Sequence, residues 1–183
     1  MRITSVSFRS FSIQNLKNQQ RNQFSNISFQ AKIDKTNLDY QKLVNSGYKL
    51  HDSDVEIITT NGKISGAAFV QEGEYNIEVV ITDDKFKKVG TAEAVLYDDF
   101  AEVGISNFYR TTMKHIGTAG YDNLFNYMKK KHPEIKKVKA NVVNEGSLKF
   151  HTAYGFKIGD EEIVRVVNKH KYPVNKYLEY SLR

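Results

Sequence analysis

Hydrophobic and polar residues alternate along much of the first 107 residues, which is the pattern of strands with one buried face. A strand that begins the folded domain is predicted by the alternating apolar residues Ile27, Phe29, Ala31 and Ile33. Similar segments predict strands over 55–60, 64–71, 75–82, 89–97 and 102–107. The Asn61-Gly62 dipeptide between the first two of these is the strongest short hairpin signal. We therefore expect a run of antiparallel strands.

The period of the pattern changes after residue 107. A helix with one apolar face is predicted by the i, i+3, i+4, i+7 spacing of Tyr121, Leu124, Phe125 and Met128. Its predicted polar face carries Asp122, Asn123, Asn126 and the lysines of 129–131, and Pro133 follows its end. Lysines at this end complement the negative end of the helix dipole.

Shorter segments complete the predicted order. A helix over 38–45, ended by Gly47, precedes most strands, and a strand over 138–143 follows the long helix. A short helix then leads to Gly155-Phe156, and β-like segments lie at 163–167 and 177–182. Antiparallel strands followed by strand–helix–strand predict an α/β fold around one mixed sheet.

Length and composition indicate one globular domain. The 183 residues include 40% apolar and 26% charged residues, which are ordinary values. Residues 1–26 are rich in Asn, Gln, Ser and Arg without a period, so we predict a flexible arm there and a folded domain over 27–183. No apolar run approaches the roughly 18 residues of a membrane span, and the start does not resemble a secretory leader. We expect a cytoplasmic protein.

Residue counts exclude some chemistry. There are no cysteines, which removes disulfides, thiolate nucleophiles and Cys-ligated zinc. The five histidines have no metal-ligand spacing, so no metal site is predicted. The formal net charge of +6 is compatible with a solvated basic surface or with an anionic partner. The lysine cluster over 129–137 leaves nucleic acid as a third and least favoured partner, since the aromatic residues form no single-strand signature.

Three sequence segments carry a resemblance to a known family. KHIGTAGYDNLF places Gly117 in a loop that leads into the long helix, where free backbone N–H groups favour an anion. VKANVVNEGSLKFHTAYGF runs from the following strand through Asn144 to Gly-Phe, and KKVGTAEAVLYDDFAEVGISNF contains the preceding strand pair. Together, over about residues 87–158, they resemble the core of the GNAT superfamily of acetyl-CoA-dependent N-acetyltransferases. The resemblance implies a mostly antiparallel central sheet flanked by helices, with a β-α-β-α-β core that binds coenzyme A (CoA).

The resemblance also implies a pyrophosphate loop and a set of cofactor-binding residues. When the residue types of the motif are matched directly, Lys114, Gly117 and Ala119 fit the loop pattern. When the apolar face of the helix sets the alignment instead, the last motif glycine is Gly117, and His115 replaces the earlier glycine. We prefer the helix register because burial of the apolar face constrains it. The implied cofactor-binding residues are Ile105, Ser106, Asn107, Lys114, His115, Ile116, Gly117, Thr118, Ala119, Asn144 and Phe150. The alternatives are an ordinary turn at Gly117 and a helix-capping role for Asn144.

Two residues are implied as catalytic. Glu102 occupies the strand that carries the family's general base, and His151 stands where the family usually has a tyrosine that acts as the acid. The alternatives are a solvent-facing or ion-paired strand residue for Glu102 and simple packing for His151. Tyr154, three residues further along the helix, is expected to face the core.

The function implied by the resemblance is transfer of an acetyl group from acetyl-CoA to a primary amine. The amine would attack directly in a ternary complex, without a covalent enzyme intermediate. The alternative is a GNAT-fold protein that binds an acyl-CoA or another partner without turnover, because the loop arginine, its first glycine and the tyrosine are replaced. The acceptor amine is not identified by any motif, and a homodimer is an assembly that the sequence leaves open.

Overall fold

The computed structural model describes residues 33–107, 113–142, 144–163, 166–167, 170–171 and 175–182. Its helices are α1 (Leu38–Asn45), α2 (Ile116–Lys131) and α3 (Glu145–Tyr154). Its strands are β1 (Lys49–Thr59), β2 (Gly62–Glu72), β3 (Asn76–Thr82), β4 (Lys88–Leu96), β5 (Phe100–Asn107), β6 (Lys137–Val142), β7 (Lys157–Ile163), β8 (Val166–Val167), β9 (His170–Lys171) and β10 (Asn175–Ser181).

Eight of these strands form one sheet in the order β1-β2-β3-β4-β5-β6-β10-β7, and β8 pairs with β9 separately. Every pairing in the large sheet is antiparallel except that of β5 with β6, which the α2 crossover joins in parallel. Parallel neighbours need such a crossover, whereas Gly62 at φ 119° closes the β1–β2 hairpin directly. The predicted mixed, mostly antiparallel sheet flanked by helices is confirmed.

The core lies between the sheet and α2. The apolar face of α2 is buried through Tyr121, Leu124, Phe125 and Met128, as its spacing predicts. On the sheet, Val79, Ala92 and Ile105 occupy one row of paired residues beneath this helix. Gly120 lets the helix approach the sheet closely, because a Cβ there would lie 3.1 Å from the Ala92 Cβ. Burial of this apolar surface contributes roughly 25 cal/mol per Å² to folding.

A smaller aromatic group packs under α1 on the other face of the sheet. Asn37 caps this helix by accepting hydrogen bonds from the N–H groups of Asp39 (2.8 Å) and Tyr40 (3.2 Å). The Tyr40 ring meets the rings of Phe69 and Phe86 edge-on. The rest of this face, over β4 and β5, is largely exposed, and we call it the open face. It is the opposite side of these strands from α2.

The structure corrects several sequence predictions. β1 begins six residues before the predicted strand, because the mostly polar residues 49–54 pair with β2 through two bulges that interrupt the alternation. Asn123, predicted on the polar face of α2, is only 8% exposed, and its Nδ2 donates to the Ala119 carbonyl (2.9 Å). The predicted strand at 27–33 and the arm over 1–26 fall outside the described residues, apart from Ile33.

The residues described from Asp34 onward belong to one compact unit. Within the described ranges, no helix combines the length and apolar content needed to cross a bilayer.

Candidate active site

The segment that leads into α2 is fixed to the edge of the sheet. The Lys114 N–H donates to the Ile58 carbonyl (2.6 Å), and the Ile58 N–H donates back to the Lys114 carbonyl (3.3 Å). This isolated bridge ties the segment to β1, which lies four strands from β5 in the sheet. The Lys114 side chain remains exposed. The segment before α2 is therefore held against the β1 edge of the sheet.

His115 sets the direction in which α2 begins. It occupies the cap position in the left-handed conformation (φ 67°), which a non-glycine residue adopts at a cost of about 1 kcal/mol or more. No described side chain caps this helix, and its internal ladder begins with the Ala119 N–H donating to the His115 carbonyl (2.9 Å). The N–H groups of Ile116, Gly117 and Thr118 have no partner within the helix. Together with the helix dipole they favour an anion.

These N–H groups belong to the wall of a cleft of about 250 Å³, which we call the α2 cleft. It is lined by Ile105, Met113, His115, Ile116, Gly117, Thr118 and Phe150. The structure thus brings six of the predicted cofactor-binding residues together from β5, α2 and α3. Met113 was missed, because nothing in its local sequence distinguishes it from a core residue.

Gly117 is required by packing rather than by backbone conformation. A Cβ at this position would lie 2.9 Å and 3.0 Å from two carbons of the Phe150 ring and 3.3 Å from the Ile105 Cδ1. Such distances force a neighbour to move. The glycine therefore allows the Phe150 ring to form one wall of the α2 cleft next to the free N–H groups.

The second feature of the site is a slot between β5 and β6. Their parallel ladder ends at the pair Val103 and Ala140, although β5 continues to Asn107 and β6 to Val142. The strands no longer pair with each other beyond that point, so backbone N–H and C=O groups on their facing edges are left for other partners. The predicted residues Ile105, Ser106 and Asn107 lie on this unpaired part of β5. Ile105 also lines the α2 cleft, so slot and cleft share this residue.

Comparison with protein-family models gives no match, and comparison with curated proteins gives none. Solved structures do match. A GNAT-family acetyltransferase from Streptococcus pneumoniae aligns with a TM-score of 0.51 at 11% identity, over 60% of this chain and 68% of that one. YncA from Salmonella typhimurium with its cofactor acetyl-CoA gives 0.49 at 14% identity, over 59% and 65%. The ribosomal-protein-S5-alanine acetyltransferase from Vibrio fischeri gives 0.48 at 20% identity, over 58% and 62%.

This chain has the fold of the GNAT superfamily. The predicted resemblance is confirmed at the level of the fold. The chain spans less than two thirds of the length of the Salmonella and Vibrio proteins.

Asn144 caps the GNAT-fold helix α3. Its Oδ1 accepts a hydrogen bond from the Ser147 N–H (2.8 Å), which is the capping alternative that the sequence left open. Its amide also stands at the C-terminal end of β6, beside the slot. The proposed cofactor contact does not conflict with the cap, because the amide Nδ2 is a separate donor.

Replacing Asn144 tests the cap directly. Asn144→Ala is expected to destabilise the fold by about 1 kcal/mol in urea unfolding, since one N–H at the start of α3 loses its acceptor. Asn144→Asp keeps an acceptor oxygen and is the matched control. Equal losses in both variants would contradict the capping role.

His151 is buried within the aromatic cluster between α2 and α3, at 3% exposure. Its Nδ1 lies 2.8 Å from the Ser147 carbonyl, which can only accept, so Nδ1 carries the proton. Nε2 then accepts from the Tyr121 hydroxyl at 2.7 Å. Burial lowers the pKa of His151, and the hydrogen bond to Ser147 acts in the opposite direction. This arrangement fits the packing alternative, and His151 does not line the α2 cleft.

Tyr154 packs in the same cluster against the rings of Tyr121 and Phe125. Its hydroxyl reaches the helix surface and donates to Asp122 Oδ1 (2.7 Å). The predicted orientation toward the core therefore holds for its ring, while its hydroxyl stays at the edge of the cluster.

Glu102 lies on the open face of β5, in register with Val95 on β4 and Lys139 on β6. It is half-buried, and its Oε2 accepts a hydrogen bond from the Tyr97 hydroxyl (3.4 Å). The β5–β6 ladder is still closed at this residue. Glu102 therefore stands just outside the slot, beside a lysine.

A second cleft, of about 350 Å³, lies on the other side of the start of α2. It is lined by Asp54, Val55, Glu56, His115, Thr118, Ala119, Asp122, Asn123 and Asn126. The predicted residue Ala119 lies here rather than in the α2 cleft. Three carboxylates make this cleft less favourable for phosphates than the α2 cleft.

Proposed function

We propose that this protein transfers an acetyl group from acetyl-CoA to a primary amine. The observation that carries the proposal is that the α2 cleft and the slot between β5 and β6 meet at Ile105. Together they form the path that we propose for the co-substrate. One end of this path offers unpaired N–H groups at a helix start, which suits a pyrophosphate. The other offers unpaired strand backbone, which suits the amides of a pantetheine arm.

The residues of the path fit acetyl-CoA as a co-substrate. The N–H groups of Ile116 to Thr118 would hold phosphate oxygens, and the exposed Lys114 would add charge near them. Backbone groups of Ile105, Ser106 and Asn107 would bind the arm, with the Phe150 ring as an apolar wall. Bound acetyl-CoA supplies an activated thioester. The chain supplies orientation, and a carboxylate on the open face takes the proton that the amine must lose.

A second candidate function is acyl-CoA binding without turnover. It is favoured by the burial of His151, whose two ring nitrogens already have protein partners. If His151 is not the acid, the departing thiolate must be protonated by another group or by water. Both candidates require the α2 cleft to bind CoA, so they differ only in turnover.

Thermal unfolding with acetyl-CoA, with CoA and with a fragment that carries only the CoA phosphates is the first test. At 100 times its Kd a ligand adds about 2.7 kcal/mol to the free energy of unfolding. We expect a larger shift with acetyl-CoA than with the fragment, because the arm adds contacts along β5. Absence of any shift at saturating concentrations would contradict both candidates. CoA release in an amine screen then separates turnover from binding.

A further inference from the structure

Gly104 in the middle of β5 has no explanation in the fold itself. Its φ is not left-handed, and a Cβ at this position would meet no atom within 4 Å. Neither backbone conformation nor packing therefore requires a glycine. A glycine inside a strand costs roughly 0.5–1 kcal/mol relative to alanine, and it often marks a place where a ligand approaches the backbone.

Gly104 also occupies a distinctive position along the slot. It is the first residue of β5 after the last pair with β6, Val103 and Ala140. An arm that runs from the start of α2 back along Asn107, Ser106 and Ile105 ends where the two strands close. The reactive end of the proposed co-substrate therefore reaches Gly104.

The side chain directly across from Gly104 is that of Glu93. The register of β4 with β5 pairs these two residues, and neighbours in such a pair lie about 5 Å apart. Ala92 and Ala94 are buried toward α2, so Glu93 points to the open face, where it is exposed. Glu102 is two residues further along β5, about 7 Å from Gly104. In the register of the sheet, Glu93 is thus the carboxylate nearest to Gly104.

Polar and charged groups on three strands surround Glu93. On β4, the Thr91 hydroxyl donates to Glu93 Oε1 (3.4 Å). On β3, Glu78 is the direct partner of Glu93 in the register. Glu78 accepts a hydrogen bond from the Tyr48 hydroxyl (2.5 Å). The Lys88 ammonium group lies over the Tyr48 ring, 4.9 Å from its centroid. On β5, Glu102 is the other charged neighbour. Like charges at Glu78 and Glu93 repel unless a cation joins them, and a substrate ammonium is such a cation.

We propose that Glu93 is a catalytic residue that takes the proton from the acceptor amine, and that Gly104 leaves the space in which this amine meets the thioester. The proposal rests on the proposed function. The substrate ammonium gives one proton to the Glu93 carboxylate, and the neutral amine attacks the acetyl carbon. The new C–N bond forms and the C–S bond breaks, and the nitrogen loses its second proton as the CoA thiolate gains one. The products are the acetamide, free CoA and one proton.

Substitution of Glu93 tests the assignment through kinetics with acetyl-CoA and an amine acceptor found in the screen. Glu93→Gln is expected to lower kcat/KM at least tenfold, since general base catalysis contributes about 10²–10⁴-fold. The decrease of kcat/KM toward low pH, which we call the acidic limb of the pH profile, should also disappear. Glu102→Gln is expected to lower kcat/KM by a smaller factor and to keep the acidic limb of the pH profile. Glu74→Gln, at an exposed turn, is the matched control and should behave as the wild type.

Substitution of Gly104 separates the ligand role from a structural one. Gly104→Val is expected to fold with equal or greater stability, because valine suits a strand and meets no neighbour. The phosphate fragment of CoA should raise its unfolding temperature as it does for the wild type. Its rate of acetyl transfer should fall at least tenfold. Gly104→Val with wild-type turnover would overturn the proposed role of the open space.

The outcomes distinguish this inference from the function on which it rests. A wild-type chain that neither binds CoA nor releases it from acetyl-CoA would overturn the proposed function and the inference with it. If the wild-type chain transfers acetyl groups and the kcat/KM of Glu93→Gln is within twofold of the wild-type value, the assignment of Glu93 alone would be overturned. Loss of the acidic limb in Glu102→Gln instead would return the base to Glu102.

Discussion

We expect Gly117→Val to remove most of the stabilisation that the proposed binding of acetyl-CoA gives the protein. The valine side chain occupies the space held by the Phe150 ring and the Ile105 methyl group, which lie 2.9 Å and 3.3 Å from a Cβ at this position. The wall of the α2 cleft must then move, and the free N–H groups lose their fixed relation to β5. If Kd rises 100-fold, the stabilisation falls from about 2.7 to about 0.4 kcal/mol at the same ligand concentration. Thermal unfolding with and without acetyl-CoA measures this stabilisation.

The variant also loses some stability without ligand, because overpacking typically costs about 1–3 kcal/mol. Gly146→Ala, an exposed glycine in the first turn of α3, is the control for replacing a helical glycine and should respond to acetyl-CoA normally. Gly117→Val combined with Phe150→Ala relieves the crowding and should recover part of the stability. Wild-type acetyl-CoA binding by Gly117→Val would contradict a cofactor role for the α2 cleft.

His151→Phe destabilises the fold by roughly 1–3 kcal/mol, because the Tyr121 hydroxyl remains buried without its acceptor. Burial raises the pKa of Tyr121, so this hydroxyl cannot be relieved by ionising. Tyr121→Phe should cost a similar amount by leaving Nε2 of His151 without a donor. The double variant should cost less than the sum of the two, with a coupling of about 0.5–3 kcal/mol in urea unfolding. Additive losses would contradict a direct bond between the two side chains.

His151→Phe also tests how His151 affects the pH dependence of stability and whether it acts in catalysis. The pKa of His151 in the folded state lies below its ordinary 6.5, so the unfolded chain binds the proton more readily. The contribution of His151 to stability is therefore complete above about pH 6.5 and is lost as pH falls through the folded pKa. His151→Phe should show a smaller loss of stability over this range than the wild type. Acetyl transfer per folded molecule that survives the change would exclude His151 as the acid.

Much of the local structure was accessible from the sequence. The bounds of α1 agree with the predicted helix over 38–45, and the apolar face of α2 consists of the predicted residues. The Asn61-Gly62 hairpin is present as well. Six of the residues that line the α2 cleft were among the predicted cofactor-binding residues, since a glycine loop before a helix has free N–H groups in its own backbone. These features depend on residues close together in the chain.

Other parts of the site depend on residues far apart in the chain. Glu93 and Gly104 lie within the predicted strands 89–97 and 102–107, but the sequence did not predict that they are partners, because alternation determines the face of a residue and not its neighbour across the sheet. The bridge between Ile58 and Lys114 and the hydrogen bond between Tyr121 and His151 likewise join distant segments. The sequence by itself thus determined most of the elements, the buried face of α2 and the glycine in its first turn. Only the tertiary structure decided where the β5–β6 ladder ends and which carboxylate lies across from Gly104, because both depend on how distant strands pair.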